Sequence, residues 1–451
     1  MNPNIFKKYD LRGQYPDELN DEMAYQVGRG FAVYAKSTKL MVGYDARISS
    51  PSLHSALIRG IIDQGVDVVD IGLCSTSCFF YSLAESGLIG GIMVTASHTP
   101  KQFNGFKIMF QDATPLSSDQ ILELKEITIN NQTSLSDTKG NITIIDSSEN
   151  YVAMVRNSIT EKLKPLKVIM DAGNGTAGLY IDKIFAGTEL SHTTIFGEPD
   201  GNFPNHETNP KIPENRVKLI EKIISEKADL GFMFDGDADR LYILDSNGDV
   251  IDPSLVMAIM SEYLINTSNK KEVVIEVRTS HVLRDWVEKN GGKVNVTTCW
   301  TIPIKLEMKS NPNVVFGGET SGHYMFRQTH ESDDGIFAAS IFLQAISVKS
   351  ETIDQIVENF KSRYFVMEEQ NFKLENREKI VQVLGSLKDQ YSKMGGEIVE
   401  IDGLSVIFPD WWFNLRASEA EPYLRLNFEA NSQVVYDDSK TKLIDAIENL
   451  I

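Results

Sequence analysis

A series of short apolar runs, each opening directly into a glycine-rich or polar loop, constrains the fold of this chain more than any other feature. Leu40-Met41-Val42-Gly43-Tyr44-Asp45 opens into Ala46-Arg47, Ile92 to Thr95 into Ala96-Ser97-His98, and Val168-Ile169-Met170-Asp171 into Ala172-Gly173-Asn174-Gly175. Leu230 to Phe234 opens into Asp235-Gly236-Asp237-Ala238-Asp239-Arg240. Val273 to Val277 opens into Arg278-Thr279-Ser280, and Val314-Val315-Phe316 into Gly317-Gly318-Glu319-Thr320-Ser321-Gly322-His323. A short, continuous apolar run bounded by turn residues is the pattern of a strand buried on both faces. Helical periodicity fills the intervals, at Leu53 to Gly65, Arg216 to Lys227 and Val282 to Asn290. Strands and helices alternating in this way predict βα units and mostly parallel sheets.

A chain of 451 residues exceeds one hydrophobic core. The pattern divides into three α/β units, 1–142, 143–252 and 253–362, expected to repeat one architecture without clear self-similarity. The polar stretches near 130–141 and 266–271 are loop candidates, the former the better boundary. Residues 363–451 read differently. A polar helix over Asp354 to Arg363 leads to Phe365-Val366-Met367 and a helix over Asn376 to Met394, then strands at Leu404 to Phe408, Trp412 to Arg416 and Tyr423 to Ala430. This predicts a smaller C-terminal α+β domain.

The N-terminal residues lack the apolar core of a signal peptide, and no run reaches the ~18 apolar residues of a membrane span. Cys74, Cys78 and Cys299 are too few for a disulfide framework and read as buried thiols in a reducing, cytoplasmic protein. A net charge of −19 argues against nucleic acid and anionic membranes as partners. The same charge repels a phosphorylated small molecule, so local cations have to converge wherever one binds.

Ser97 ends a buried strand, where ligands of open α/β sheets bind. By itself, a serine after a strand is more often a helix N-cap. The acidic loop places Asp235, Asp237 and Asp239 at alternate positions, a hard oxygen donor set suited to Mg²⁺. A solvated acidic turn is the plainer alternative. A haloacid-dehalogenase-like phosphatase, with an aspartate nucleophile, fits poorly because its pattern wants Thr or Val where Asp239 stands. A nucleophile loop and a metal loop, both at strand ends, point to phosphoryl transfer. Arg47 reads either as an anion contact, as a pin for its own loop, or as an exposed salt-bridging arginine.

Thr95-Ala96-Ser97-His98-Thr99-Pro100 with Asn104-Gly105-Phe106-Lys107, then Asp235 to Arg240, then Gly318 to His323, resembles the α-D-phosphohexomutase superfamily, most closely its phosphomannomutase/phosphoglucomutase branch. The resemblance covers the whole chain in the family's order. It implies three related α/β domains and a smaller fourth around a central cleft. It also implies that Ser97 carries a phosphoryl group, with Mg²⁺ held by Ser97, Asp235, Asp237 and Asp239, and a hexose 1,6-bisphosphate as activator. His98 is expected to orient the serine loop, Lys107 to take part in proton transfer, and Arg12 and Arg240 to meet phosphate. Glu319, Ser321 and His323 form the expected sugar loop, and Arg278, Arg416 and Ser418 bind the substrate's phosphate and sugar. The chain departs from the family at Arg278, where a lysine is usual. It departs again at Trp300-Thr301, where a Gly-His pair is usual, and at Glu419-Ala420, which replaces two neutral donors with a carboxylate and a methyl. The expected activity interconverts hexose 1- and 6-phosphates of mannose or glucose, by a monomer or homodimer. A phosphosugar phosphatase and a non-catalytic phosphosugar-binding relative are the rival readings.

Overall fold

A computed structural model describes residues 2–130, 134–418 and 421–451. The chain folds as two compact units, one of residues 1–251 with 321–348, the other of residues 252–320 with 349–451.

The first unit holds two mixed sheets. In one, the strands run in the order Leu11–Gln14, Phe103–Phe110, Gly90–Val94, Lys39–Tyr44, Asp67–Leu73 and Ile142–Ile144. The neighbours from Gly90–Val94 to Ile142–Ile144 are parallel. Phe103–Phe110 instead returns antiparallel beside Gly90–Val94. That return was not expected, and Lys107 sits opposite Met93 in the ladder. Helices Asp21–Ala35 and Ser50–Asp63 pack on each other at glycines. A Cβ on Gly28 would meet the Leu57 carbonyl oxygen at 2.2 Å, and one on Gly60 the Tyr25 carbonyl oxygen at 2.1 Å. Their apolar faces join Val42, Ile92, Val94, Phe106 and Ile108 in one core.

The second sheet has the order Leu241–Leu244, Leu230–Phe234, Lys167–Asp171, Ser191–Ile195. The last three are mutually parallel, and Leu241–Leu244 returns antiparallel after the acidic loop. Helix Gly335–Ser347 packs against Leu230–Phe234, Leu241–Leu244 and helix Ser148–Ser158, and Gly335 to Ile346 are all buried. Asp334 caps it through the Ile336 and Phe337 N–H groups and accepts from the Tyr151 hydroxyl at 2.9 Å.

In the second unit, parallel strands Lys293–Thr297, Glu272–Glu276 and Val314–Glu319 lie side by side. Helices Pro253–Thr267, His281–Lys289 and Thr301–Ser310 pack beside them. The C-terminal part is an antiparallel sheet in the order Phe365–Val366, Tyr423–Ala430, Trp411–Ala417, Leu404–Ile407, Glu397–Val399. Gln370–Lys373 also pairs with Tyr423–Ala430, and helices Arg377–Lys393 and Gln433–Glu448 complete the core. The expected three α/β domains and smaller α+β domain are therefore present. Within this unit the His281 ring stacks on Trp412 at 4.8 Å. Buried Glu429 accepts from Trp412 Nε1 at 3.1 Å and from the His281 N–H at 3.2 Å. Burial pushes the Glu429 carboxyl up to about 7.

Candidate active site

In the first unit, strand Gly90–Val94 delivers Ser97 into a turn rather than a helix, so the capping role is not taken up. Ser97 has φ +51°, a left-handed conformation uncommon outside glycine and asparagine. Its N–H donates to Thr95 Oγ1 at 3.0 Å. Its hydroxyl donates to Asp235 Oδ2 at 2.8 Å and lies 3.2 Å from His98 Nδ1.

Arg47 holds this turn in place. It is buried, not an exposed salt-bridging side chain. Nη2 donates to the carbonyls of Ser97 at 2.6 Å and Thr99 at 2.7 Å, and Nη1 to those of Pro100 and Phe103, both at 2.9 Å. Asp45 balances its charge at 3.2 Å and also accepts from the Thr95 hydroxyl.

The acidic loop meets the serine loop where only glycine fits comfortably. A Cβ on Gly236 would stand 3.0 Å from the Ser97 carbonyl oxygen. Carboxylate oxygens of Asp235, Asp237 and Asp239 lie within 4.8 Å of one another, all buried. Lys107 Nζ donates to Asp237 Oδ2 at 2.8 Å and to Asp239 Oδ2. Asp237 Oδ2 also accepts from the hydroxyls of Thr76 at 2.6 Å and Thr95 at 3.1 Å. Asp237 Oδ1, by contrast, is buried with no hydrogen-bond partner among the described residues. An orphaned carboxylate oxygen inside a cluster of hard oxygen donors fits a small divalent cation.

Burial, reinforced by Asp239 and Asp237, pushes the Asp235 carboxyl well above the usual range. Burial of Lys107 favours its neutral form, but Asp237 and Asp239 overcome that and hold it as an ammonium. Arg240 first, then burial and Arg12, keep the His98 imidazole neutral. The Arg240 N–H donates to Asp235 Oδ1 at 3.2 Å, and Arg240 Nε lies 3.7 Å from Asp235 Oδ2. Arg12, on strand Leu11–Gln14 opposite Gly105, is half-buried and pairs with Asp10 at 2.6 Å.

His323 joins this cluster too. Its Nδ1 is 2.8 Å from Ser321 Oγ, and its Nε2 is 3.5 Å from Asp239 Oδ1 and 4.0 Å from Asp333 Oδ2. Asp239, His323 and Asp333 thus form a second group with metal-ligating atoms in close range. Asp333 was not anticipated.

In the second unit, Arg278 and Glu319 are brought together directly. The Arg278 N–H and Nε donate to Glu276 Oε2 at 2.6 and 3.0 Å, and Nη2 donates to Glu319 Oε1 at 3.0 Å. Arg416 lies on strand Trp411–Ala417, and Ser418 follows it with its N–H on the Tyr423 carbonyl at 2.8 Å. Arg278, Arg416 and Arg425 all approach Glu369, which no local sequence pattern marks. Trp300 has φ +94° just before the helix that Thr301 begins. Glu419 and Ala420 lie outside the described residues. The cysteines are free and buried.

A serine turn set against three buried aspartates, at the ends of largely parallel strands, is an arrangement suited to phosphoryl transfer on an α/β/α frame. Family models for phosphoglucomutase/phosphomannomutase α/β/α domains I, II and III match residues 3–134, 149–248 and 252–364. A phosphomannomutase of Escherichia coli is 32% identical over 98% of both chains. A phosphoglucomutase of Neisseria gonorrhoeae is 32% identical over 99% of this chain and 97% of its own. The crystal structure of a phosphoglucomutase/phosphomannomutase family protein from Burkholderia thailandensis superposes with a TM-score of 0.89 at 29% identity, covering 100% of this chain and 98% of its own. The chain belongs to the phosphoglucomutase/phosphomannomutase family, whose members are mutases.

Proposed function

We propose that the chain is a phosphosugar mutase that interconverts the 1- and 6-phosphates of mannose or glucose through phosphorylated Ser97 and a bisphosphorylated sugar. The observation that carries this is the Ser97 hydroxyl, 2.8 Å from Asp235 within a buried triad of aspartates. The sugar's free hydroxyl oxygen forms a bond to phosphorus as the bond to Ser97 Oγ breaks, and the proton lost by that hydroxyl ends on Ser97 Oγ, which is restored as a neutral hydroxyl. The bisphosphate then turns over and returns its other phosphoryl group to Ser97. Such transfers depend on positioning and charge rather than on covalent chemistry by the protein. Arg47 fixes the carbonyl frame of the serine turn. Neutral His98 orients the Ser97 oxygen, and Lys107, held on Asp237 and Asp239, supplies a positive charge beside the acidic loop.

Asp235, Asp237 and Asp239 would hold Mg²⁺, with Asp237 Oδ1 the readiest donor. When bound, the ion neutralises charge on the transferring phosphoryl group. Arg278, Glu319, Ser321, His323, Arg416 and Ser418 are assigned to recognising the sugar and its distant phosphate. The same reading divides the chain into four domains ending at 142, 252, 362 and 451.

The test is a coupled assay on mannose 1-phosphate and glucose 1-phosphate, with Mg²⁺ and glucose 1,6-bisphosphate, alongside measurement of free phosphate. Turnover that needs the bisphosphate and releases no phosphate is expected. Ser97→Ala should lose nearly all of it, and intact mass should show one phosphoryl group on the parent and none on the variant. Stoichiometric phosphate release would make the protein a phosphatase, and binding without turnover would make it a sensor.

A further inference from the structure

Glu369 stands just before strand Gln370–Lys373, which pairs antiparallel with Tyr423–Ala430. In the same sheet Arg416 and Arg425 face each other directly across strands Trp411–Ala417 and Tyr423–Ala430. Residues directly opposite in a ladder emerge on one face, and like charges there destabilise the pair unless an anion lies with them. Glu369 supplies that anion. Its Oε1 is 3.4 Å from Arg425 Nη1, and its Oε2 is 3.7 Å from Arg416 Nη2, 3.4 Å from Asn427 Nδ2 and 3.9 Å from Arg278 Nη1.

None of these guanidinium contacts has the ~2.7–2.9 Å length of a charge-assisted hydrogen bond. Arg278 is already committed to Glu276 and Glu319. Arg416 is not. It is only 8% exposed, and its Nε has no hydrogen-bond partner among the described residues. A buried guanidinium with donors unspent, facing one carboxylate at long range, is an arrangement an additional acceptor would complete.

We propose that Glu369 is a built-in competitor for the substrate's phosphate. Its carboxylate takes the anion seat between Arg416 and Arg425 when substrate is absent, and an incoming phosphoryl group displaces it. Arg425 then becomes a second phosphate-contacting guanidinium beside Arg416. This rests on reading Arg416 as a phosphate ligand. A phosphoryl group brings three acceptor oxygens and up to two charges, so it outmatches a carboxylate for a pair of planar forks. Replacing an existing partner lowers net affinity and speeds release. A mutase needs that, because its bisphosphate must let go of one end before it can present the other.

The test uses the full chain with Glu369→Gln, which keeps shape and removes charge. The readouts are KM for glucose 1-phosphate, inhibition by inorganic phosphate, and calorimetric titration with inorganic phosphate. KM and the inhibition constant should each fall about three- to tenfold, with kcat not increased. Arg425→Gln should raise both constants by a similar factor. If Glu369→Gln leaves them unchanged or raises them, Glu369 only orients the arginines and the proposal is wrong. Arg416→Gln separates the two levels. If it leaves both constants unaltered, the phosphate assignment itself fails. If it raises them while Glu369→Gln does not lower them, only the competitor role fails. Should Glu369→Gln not fold, Glu369→Met, of similar length and without charge, carries the same expectation.

Discussion

At the scale of single residues, the acidity of the chain is answered by pairing rather than by a bare positive patch. Lys107 lies on Asp237 and Asp239, Arg12 on Asp10, and Arg278 on Glu276 and Glu319. Each cation is thereby held in one position at the cost of part of its field. Arg47 is the extreme case, with its guanidinium spread over four backbone carbonyls. A lysine presents a point charge and cannot reproduce that fork. Arg47→Lys is therefore expected to destabilise the protein by about 2–4 kcal/mol, by leaving buried carbonyls unsatisfied. It should also lower kcat more than it raises KM, because Ser97 loses its position rather than its chemistry. Melting temperature and steady-state kinetics check this, and parental values of both would show that the turn holds itself. Ser97 and the three aspartates were legible in the sequence because each follows a recognisable apolar run. Arg47 was picked out too, but its hold on the serine turn was not legible, since its partners are carbonyls some 50 to 56 positions away, which every residue type carries alike. Glu369 was missed because only the sheet brings it to Arg416 and Arg425.

At the scale of elements, the buried parallel strands were legible, and the antiparallel returns Phe103–Phe110 and Leu241–Leu244 were not. Polar residues interrupt the apolar pattern of Phe103–Phe110. Lys107 reaches Asp237 and Asp239 in the acidic loop, and Asn104 binds Ser49 and Ser50 at the start of helix Ser50–Asp63. The close approach of helices Asp21–Ala35 and Ser50–Asp63 likewise left no hydrophobic signature, only glycines. Gly28→Ala sets a gain in helix propensity of about 1 kcal/mol against a Cβ 2.2 Å from the Leu57 oxygen. Overpacking of this kind costs about 1–3 kcal/mol, so net destabilisation is expected, read as a lower melting temperature. Glu429 gives a pH-dependent counterpart at the junction of strand Tyr423–Ala430 and helix His281–Lys289. Its folded carboxyl is raised to about 7 from an ordinary 4.5, so between these values the folded state holds the proton more tightly than the unfolded one. The stability this contributes is full below pH 4.5 and drains away as pH rises through 7. Glu429→Gln removes the dependence. Relative to the parent, the variant should gain on the order of 2–3 kcal/mol between pH 5 and pH 8. Melting curves at the two pH values decide it, and a difference that does not change with pH would show Glu429 ionised throughout.

For the whole molecule, the expected ion links stability to activity. Chelation should abolish turnover and Mg²⁺ should restore it. At about a hundred times the dissociation constant, Mg²⁺ should stabilise the parent by about 2.7 kcal/mol, with a smaller effect in Asp237→Asn. A parent whose melting temperature ignores Mg²⁺ would mean that Lys107, Arg240 and His323 balance the three carboxylates without an ion. The order of domains was legible along the chain, because each strand–helix alternation is local. The grouping of residues 321–348 with residues 1–251 was not, since no local pattern says which sheet a buried helix will cover. That grouping has a consequence on the ribosome. Strands Leu230–Phe234 and Leu241–Leu244 are made well before Gly335–Ser347, the apolar helix that lies on them. At ~5–20 residues per second, a lag of roughly 90 residues leaves that face without its cover for several seconds. During those seconds the nascent chain presents a sticky sheet to the cell, so the order of its segments, as much as its final stability, governs how much help it needs to be born intact.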